Sequence, residues 1–310
     1  MYDIVIIGAG TAGMSAAIYA QRGGKKSLML EKLTYGGQII NTPDIENYPG
    51  LMHVSGFDFA GKLFEQASQL GASYEAASVL GIEDKGDVKV VHTDNGDYQA
   101  GAVIIAAGAK NRPLAAEGTP LFDKEKSLTG RGVSYCATCD GMFYRNKVTA
   151  VVGGGNTALD DAVFLADICQ KVYVIHRRDQ FRGSRTTLDK LKEKPNVEFI
   201  LNSEVTDLLT DEQAQTLDRV ETCDKVTGQK RQIPVNGLFV AVGQAPCNQP
   251  FADVVDLDEK GYIIAGEDTH TRTAGIFAAG DCRTKTLRQL STAAADGAQA
   301  ATEAIRYLNT

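Results

Sequence analysis

Residues 2–32 read YDIVIIGAGTAGMSAAIYAQRGGKKSLMLEK. The apolar run Ile4–Ile7 has the pattern of a buried strand. Gly8, Gly10 and Gly13 follow in G-x-G-x-x-G spacing. Ala12–Arg22 reads as a helix, with small residues where it must lie close to the strand. A second apolar strand, Ser27–Leu30, ends at Glu31, 23 positions after Gly8. Strand, turn, helix, strand and terminal acid together make the start of a dinucleotide-binding βαβ unit. The glycines let the backbone approach a pyrophosphate, the helix N-terminus supplies amide donors, and Glu31 can accept from ribose hydroxyls.

The pattern recurs at 147–185, KVTAVVGGGNTALDDAVFLADICQKVYVIHRRDQFRGSR. The expected strand is Val148–Val152, and Gly153, Gly155 and Ala158 take the three small positions. A helix runs to about Cys169 and a strand from Val172 to Ile175. His176 stands 23 positions after Gly153, in the register of Glu31. Here the acid is replaced by His176-Arg177-Arg178, with Arg182 and Arg185 beyond. A carboxylate at this position repels a 2′-phosphate, whereas a basic cluster accepts one through paired hydrogen bonds. The second site therefore reads as NADPH-binding. The first takes a dinucleotide without a 2′-phosphate, FAD or NAD.

Between the turns lies SYCATCDG, 134–141, with Cys136 and Cys139 three apart and Asp140 next. Such a pair can be half of a zinc site, a structural disulfide or a redox centre. A nicotinamide delivers a hydride, a dithiol exchanges two electrons through thiolate chemistry, and a flavin mediates between them. The order NADPH, FAD, disulfide is the reading that uses all three features. Other stretches suit a long cofactor. Tyr35–Gly50 is glycine-rich and polar, Ala102–Ala109 is a buried strand ending in small residues, and Asp281 ends a strand that leads through a loop to a small-residue helix.

At 310 residues the chain has room for two domains. It is 43% hydrophobic and 23% charged, and its net charge of −7 argues against a general nucleic-acid binder. No apolar run reaches membrane-span length. Met1-Tyr2-Asp3 leads straight into the first strand, so no signal peptide and a cytoplasmic setting are expected. Six cysteines are too few for a disulfide scaffold. Cys169, Cys223, Cys247 and Cys282 are scattered and read as incidental or buried thiols.

Taken together, GAGTAG (8–13), GGQIINTPDIENYPG (36–50), GRGVSYCATCDG (130–141), VVGGGNTALDDA (151–162), HRRDQFR (176–182) and GIFAAGD (275–281), followed by RQ (288–289), are specific in order and spacing. Over essentially its full length the chain resembles the low-molecular-weight bacterial thioredoxin reductases. The resemblance implies an α/β protein of two Rossmann-like three-layer domains. An FAD domain, 1–114 and 247–310, would surround an inserted NADPH domain, 115–246, that carries the dithiol. By position, Cys139 would be the thiol beside the flavin, Cys136 the exchange thiol that attacks the partner disulfide, and Asp140 the acid/base. Gly8, Gly10, Gly13, Glu31, Gln38, Asn47, Val79, Asp281, Arg288 and Gln289 would line FAD. Gly153, Gly155, Asn156, Thr157, His176, Arg177, Arg178 and Arg182 would hold NADPH. The partner would be thioredoxin or a thioredoxin-like protein, and the chain a homodimer without metal. The NADPH domain would turn, so that either the dithiol or the nicotinamide meets the flavin.

The residues around the dithiol agree with redox use. A zinc knuckle needs a second ligand pair, and no other Cys-x-x-Cys occurs. A structural disulfide closing so short a loop stabilises little. Asp140 would raise a neighbouring thiol's pKa if charged, but it makes sense as a proton carrier. The alternatives are a reductase serving a different disulfide partner and a non-catalytic redox sensor.

Overall fold

Tyr2–Ile7 forms the strand its apolar run predicts, in a computed structural model that describes residues 1–310 apart from 43, 212 and 214. Residue 43 falls in the 35–50 stretch, so that part of the cofactor-wall reading lies outside the described residues. The chain divides into two units, Met1–Lys110 with Ala245–Thr310, and Asn111–Gln244.

In the chain-end unit Tyr2–Ile7 is the centre of a seven-stranded sheet. It runs parallel to Ser27–Glu31 on one side and to Gly96–Ile105 on the other, with Val5 opposite Leu28 and Val103. A parallel strand covered on both faces is apolar throughout. Ile4 and Ile6 accordingly enter one core, while Val5 and Ile7 enter another. The first core is formed with the helices Thr11–Arg22 and Leu290–Leu308. Their contact is lined by Ala12, Ala16, Ala20, Ala293, Ala300 and Ala304. Gly297 sets how close they come, because a Cβ there would lie 2.0 Å from the Ala12 carbonyl oxygen. Lys89–Thr93 joins the sheet as an antiparallel hairpin with Gly96–Ile105. The sequence places its turn at Asn95-Gly96. In the structure Thr93 pairs with Gly96, leaving Asp94 and Asn95 as the loop. Thr93 Oγ1 draws the turn back by bonding Gly96 O at 2.6 Å.

In the 111–244 unit Val148–Val152 is central in a five-stranded sheet, parallel to Lys171–Ile175 and Gly237–Val240. The strand Val133–Ser134, just before the dithiol, is parallel to Gly237–Val240 at the sheet edge. The helix Asn156–Ile168 follows the glycine turn. Three antiparallel strands, Ser203–Thr210, Leu217–Asp224 and Lys230–Pro234, make a separate small sheet. Both units are Rossmann-like α/β structures. Among the described residues no helix is long and apolar enough to cross a membrane.

Candidate active site

The two glycine turns differ in detail but share one design. Gly8 has φ +104°, and a Cβ on it would meet Ala106 O at 2.4 Å. A Cβ on Gly13 would fall 1.8 Å from Gly8 O, whereas Gly10 faces open space. Gly8 and Gly13 are thus fixed by packing, and Gly10 leaves room for a ligand. The helix that follows has no side-chain cap and no acid in its first turn, so its leading amides are available to an anion. Glu31 braces the turn itself. Its Oε2 accepts from Ala9 N (3.0 Å) and its Oε1 from Leu33 N (3.2 Å), which ties the strand end to the turn.

Two segments of this unit touch that turn or its helix, and the other expected residues are tied to their own neighbours. Gly36 N donates to Ala9 O at 2.7 Å, bringing the 36–38 segment alongside. Gln38 donates to Ala109 O. A Cβ on Gly280 (φ +77°) would lie 2.8 Å from Ala12 Cβ, so Asp281 follows directly beside the first helix. Arg288 Nε reaches Asp281 O (3.4 Å), and its guanidinium lies 4.1 Å over the Tyr262 ring. Asn47 Nδ2 donates to Gln289 Oε1 at 3.1 Å. Val79 lies two residues beyond Ala77, whose amide donates to Glu31 O at 2.9 Å. The Asp281 carboxyl is buried, and its Oδ1 has no hydrogen-bond partner among the described residues. Burial pushes its pKa up, against the pull of Lys285 and Arg288. Buried polar atoms are normally satisfied. An orphaned acceptor, an open glycine and an uncapped helix start fit a dinucleotide bearing hydroxyls and a pyrophosphate.

Sequence reading did not single out what holds Asp281 in place. Asp296, on the C-terminal helix, accepts from Gly280 N (2.9 Å), Arg283 Nε and Nη2 (both 2.8 Å) and Lys285 Nζ (3.0 Å). Arg283 is 1% exposed and Asp296 6%, so a desolvated ion cluster fastens the loop to the helix. Cys282 is fully buried, its thiol donating to Ile105 O and Ala279 O (3.3 and 3.2 Å). Burial pushes it up to about 11, so it is an inert packed thiol, as its scattered position suggests.

In the second turn a Cβ on Gly153 would meet Ala241 O at 2.4 Å, and Gly155 faces open space. Ala158 Cβ stands against Gly153 as Gly13 stands against Gly8. The helix start is again uncapped by any side chain, with Asn156 and Thr157 exposed. Asn156 Oδ1 accepts from Ser184 N (2.7 Å), and Gly154 O accepts from Arg182 N (2.8 Å). His176 behaves differently from its arginine neighbours. It is 5% exposed, stacked on Phe181 with centroids 5.0 Å apart, with Nε2 against Gln180 O at 3.1 Å. A Cβ on Gly154 would lie 2.1 Å from its ring. Burial lowers its pKa, and the charges of Arg177, Arg178 and Arg182 lower it further. His176 is therefore a neutral prop beneath the turn, while the exposed arginines carry the charge. Glu31 and His176, equivalent by count, both brace the residue that follows their first glycine.

Cys136 and Cys139 form a disulfide, Cα atoms 5.3 Å apart, with Cys136 capping the short helix Ala137–Asp140 and Cys139 on it. Both are half-buried. Ser134, which sequence reading passed over, organises the segment. Its Oγ accepts from Cys136 N (3.1 Å) and donates to Asp140 Oδ2 (2.7 Å). Asp140 Oδ1 is buried without a partner among the described residues. Burial raises the Asp140 pKa, only partly countered by Ser134. The raised pKa lets the carboxyl keep its proton to higher pH than an exposed aspartate, which suits a proton carrier beside the dithiol. Gly141 lets the segment lie on the following helix, because a Cβ there would come within 2.7 Å of Phe164. Tyr144 beyond it is pushed up to about 12 by burial and by the Asp140 charge.

Comparison with known proteins agrees with this arrangement. The family model for pyridine nucleotide-disulphide oxidoreductases matches residues 2–297. A thioredoxin reductase of Listeria innocua is 40% identical over 308 residues, covering 99% of this chain and 94% of the relative. One from Bacillus subtilis is also 40% identical over 308 residues, covering 99% and 95%. The crystal structure of thioredoxin reductase from Streptococcus pyogenes superposes with a TM-score of 0.91 at 40% identity, covering 100% of this chain and 98% of that one. With two glycine turns, a dithiol and these relatives along its whole length, the chain belongs to the pyridine nucleotide-disulphide oxidoreductase family, among the thioredoxin reductases.

Proposed function

We propose that the chain is an NADPH-dependent thioredoxin-disulfide reductase, with FAD in the chain-end unit and NADPH and the dithiol in the 111–244 unit. The observation that carries this reading is the Cys136–Cys139 disulfide beside a buried, half-unpartnered Asp140 in a chain with two dinucleotide turns. When bound, FAD supplies a two-electron carrier between the nicotinamide and the disulfide. The chain's own residues do the rest. Gly8, Gly10 and Gly13 with the first helix start receive the pyrophosphate, and Asp281 accepts from hydroxyls. The exposed Arg177, Arg178 and Arg182 take the 2′-phosphate over the turn that His176 supports. Two electrons and two protons convert the Cys136–Cys139 disulfide to thiols. Cys136 as thiolate then attacks the partner disulfide and forms a mixed disulfide. Cys139 displaces it, restoring the intramolecular bond and releasing the partner as a dithiol. Asp140 moves a proton to and from the pair.

Met142 and Phe143, 38% and 41% exposed just past the dithiol, offer apolar contact to a protein whose disulfide must come within bonding reach. Exchange of access to the flavin between dithiol and nicotinamide, through a turn of one unit on the other, is part of the proposal. So are the homodimer and the cytoplasmic setting. The test is steady-state turnover with NADPH against NADH, using thioredoxin as acceptor. Activity with thioredoxin that prefers NADPH supports the reading, and none with any thioredoxin-like acceptor contradicts it.

Two expectations follow. Alanine at Arg177, Arg178 and Arg182, one at a time, raises the KM for NADPH about 10- to 100-fold at one or more positions, with NADH kinetics unchanged. A parallel rise for both coenzymes contradicts a 2′-phosphate site. Asp140→Asn lowers turnover about 10²- to 10⁴-fold. Because burial raises the Asp140 pKa, its acid form persists above the ordinary carboxylate range. Turnover that depends on that proton falls as pH rises through the raised value. The Asn variant lacks this limb, and a pH–rate profile identical in shape to the wild type contradicts the role.

A further inference from the structure

Glu125 is a carboxyl in an apolar core. It is 1% exposed, in the helix Pro120–Leu128, beside a cluster built from Leu128, Val133 and Leu238 with Leu114, Leu121 and Tyr135 packed on it. The groups that act on it are burial, which pushes its pKa up, and then hydrogen bonds from Tyr135 and Leu114, which pull it down; no cation is among them. A buried carboxyl without a cation is costly, and an apolar side chain would fill the space without that cost. What an apolar side chain could not do is accept from two segments at once. Glu125 Oε1 accepts from Tyr135 Oη at 2.6 Å, and Oε2 accepts from Leu114 N at 2.9 Å.

Both donors have telling positions. Tyr135 immediately precedes Cys136. Leu114 carries the first amide after Pro113, which has none to offer, and Arg112 N is bonded to Gly243 O at 2.9 Å. Leu114 therefore belongs to the stretch by which the chain enters this unit, next to the stretch by which it leaves. Ser134 pins the other side of the dithiol segment through Cys136 N and Asp140. Ser134–Cys136 is thus held on one side by Ser134 and on the other by Glu125 through Tyr135.

We propose that Glu125 is a positioning residue for the dithiol, fixing Tyr135 and hence Cys136 against the entry segment at Leu114. The proposal rests on the redox role of the dithiol given above. It adds that the geometry of the exchange thiol is set from a site that touches neither thiol. A purely structural Glu125 would change stability alone.

The test is a double-mutant cycle on the reduced holoenzyme, reading the iodoacetamide alkylation rate of Cys136 by mass spectrometry together with thermal stability. Glu125→Ala and Tyr135→Phe are each expected to change the alkylation rate about 3- to 10-fold in the same direction. The double variant should show no further change, because both act through one hydrogen bond. Glu125→Gln, which can accept from Leu114 N and donate to Tyr135 Oη, should stay within about twofold of wild type. The proposal is overturned by a Glu125→Ala that melts earlier but alkylates at the wild-type rate, by single effects that multiply, or by a Gln variant as altered as Ala. Should Glu125→Ala not fold, Tyr135→Phe alone decides, and a wild-type rate there overturns the proposal. Failure of the reductase reading would show instead as absent thioredoxin turnover in the unmodified protein.

Discussion

Cys136→Ser should lower thioredoxin-coupled turnover by at least about 10³-fold while NADPH still reduces the bound flavin. The nucleophile in disulfide exchange is a thiolate, and a serine hydroxyl is not ionised at neutral pH. Removing one sulfur also removes the intramolecular disulfide, so the electron pair has no acceptor in the chain. Everything upstream is untouched, because the residues expected to bind the cofactors are elsewhere: the glycine turns at 8–13 and 153–158, Asp281 and the arginines after His176. Cys139→Ser should lose turnover as well. The two variants separate by which remaining thiol forms a trapped mixed disulfide with thioredoxin. The Cys139→Ser protein should trap it through Cys136, and trapping only by the Cys136→Ser protein would reverse the assigned roles.

Asp296→Ala is expected to be the most damaging change away from the thiols, costing about 3–5 kcal/mol. Arg283 is 1% exposed, and the substitution leaves its guanidinium buried without its bidentate partner. Lys285 and Gly280 N lose the same acceptor. Chemical denaturation of the apoprotein reads the stability, and absorbance reads the fraction of chains that retain flavin. Both should fall, because Asp281 sits one residue after the amide that Asp296 anchors. The pH dependence has a definite sign. Burial alone would raise the Asp296 carboxyl, but hydrogen bonds from Arg283 and Lys285 more than offset that and hold it below its usual range. A depressed carboxyl contributes stability above its unfolded pKa and loses it as pH falls through the folded value. The wild type should therefore shed this contribution below about pH 4, and Asp296→Ala should show a flatter acid limb. A variant as stable as wild type at neutral pH would remove the cluster from this account.

What the sequence disclosed follows from what is local. Gly13 is required by the carbonyl of Gly8 in the same turn, which leaves a fixed spacing, while Gly8 and Gly153 are also pressed by the carbonyls of Ala106 and Ala241 far along the chain. The dithiol and Asp140 are contiguous, so their chemistry could be argued before any coordinates. The basic run after Ile175 was legible as charge, but the burial of His176 under Gly154 was not. A ring's environment is decided by Phe181 and the turn above it, not by its place in a charged string. Ser134 is an ordinary serine until its hydroxyl is seen between Cys136 N and Asp140. Asp296 and Arg283 are separated by 13 residues of loop and helix, and no periodicity marks them as a pair. Glu125 reads as one more surface acid in PLFDKEKSL, and only packing shows that it is inside. The hairpin tip lies one residue earlier than the Asn-Gly pair suggests, because the Thr93 hydroxyl bonds both Asn95 Oδ1 and Gly96 O and draws Gly96 into the strand pair.

The central claim is that electrons from NADPH end on Cys136 and Cys139 and leave for a protein disulfide. Anaerobic titration of the flavin-loaded protein with NADPH, followed by alkylation and peptide mapping, measures this directly. The account predicts bleaching of the flavin absorbance, two new thiols per chain at Cys136 and Cys139, and their loss when oxidised thioredoxin is added. Bleached flavin with the Cys136–Cys139 disulfide intact, or thiols that persist in the presence of oxidised thioredoxin, would contradict it.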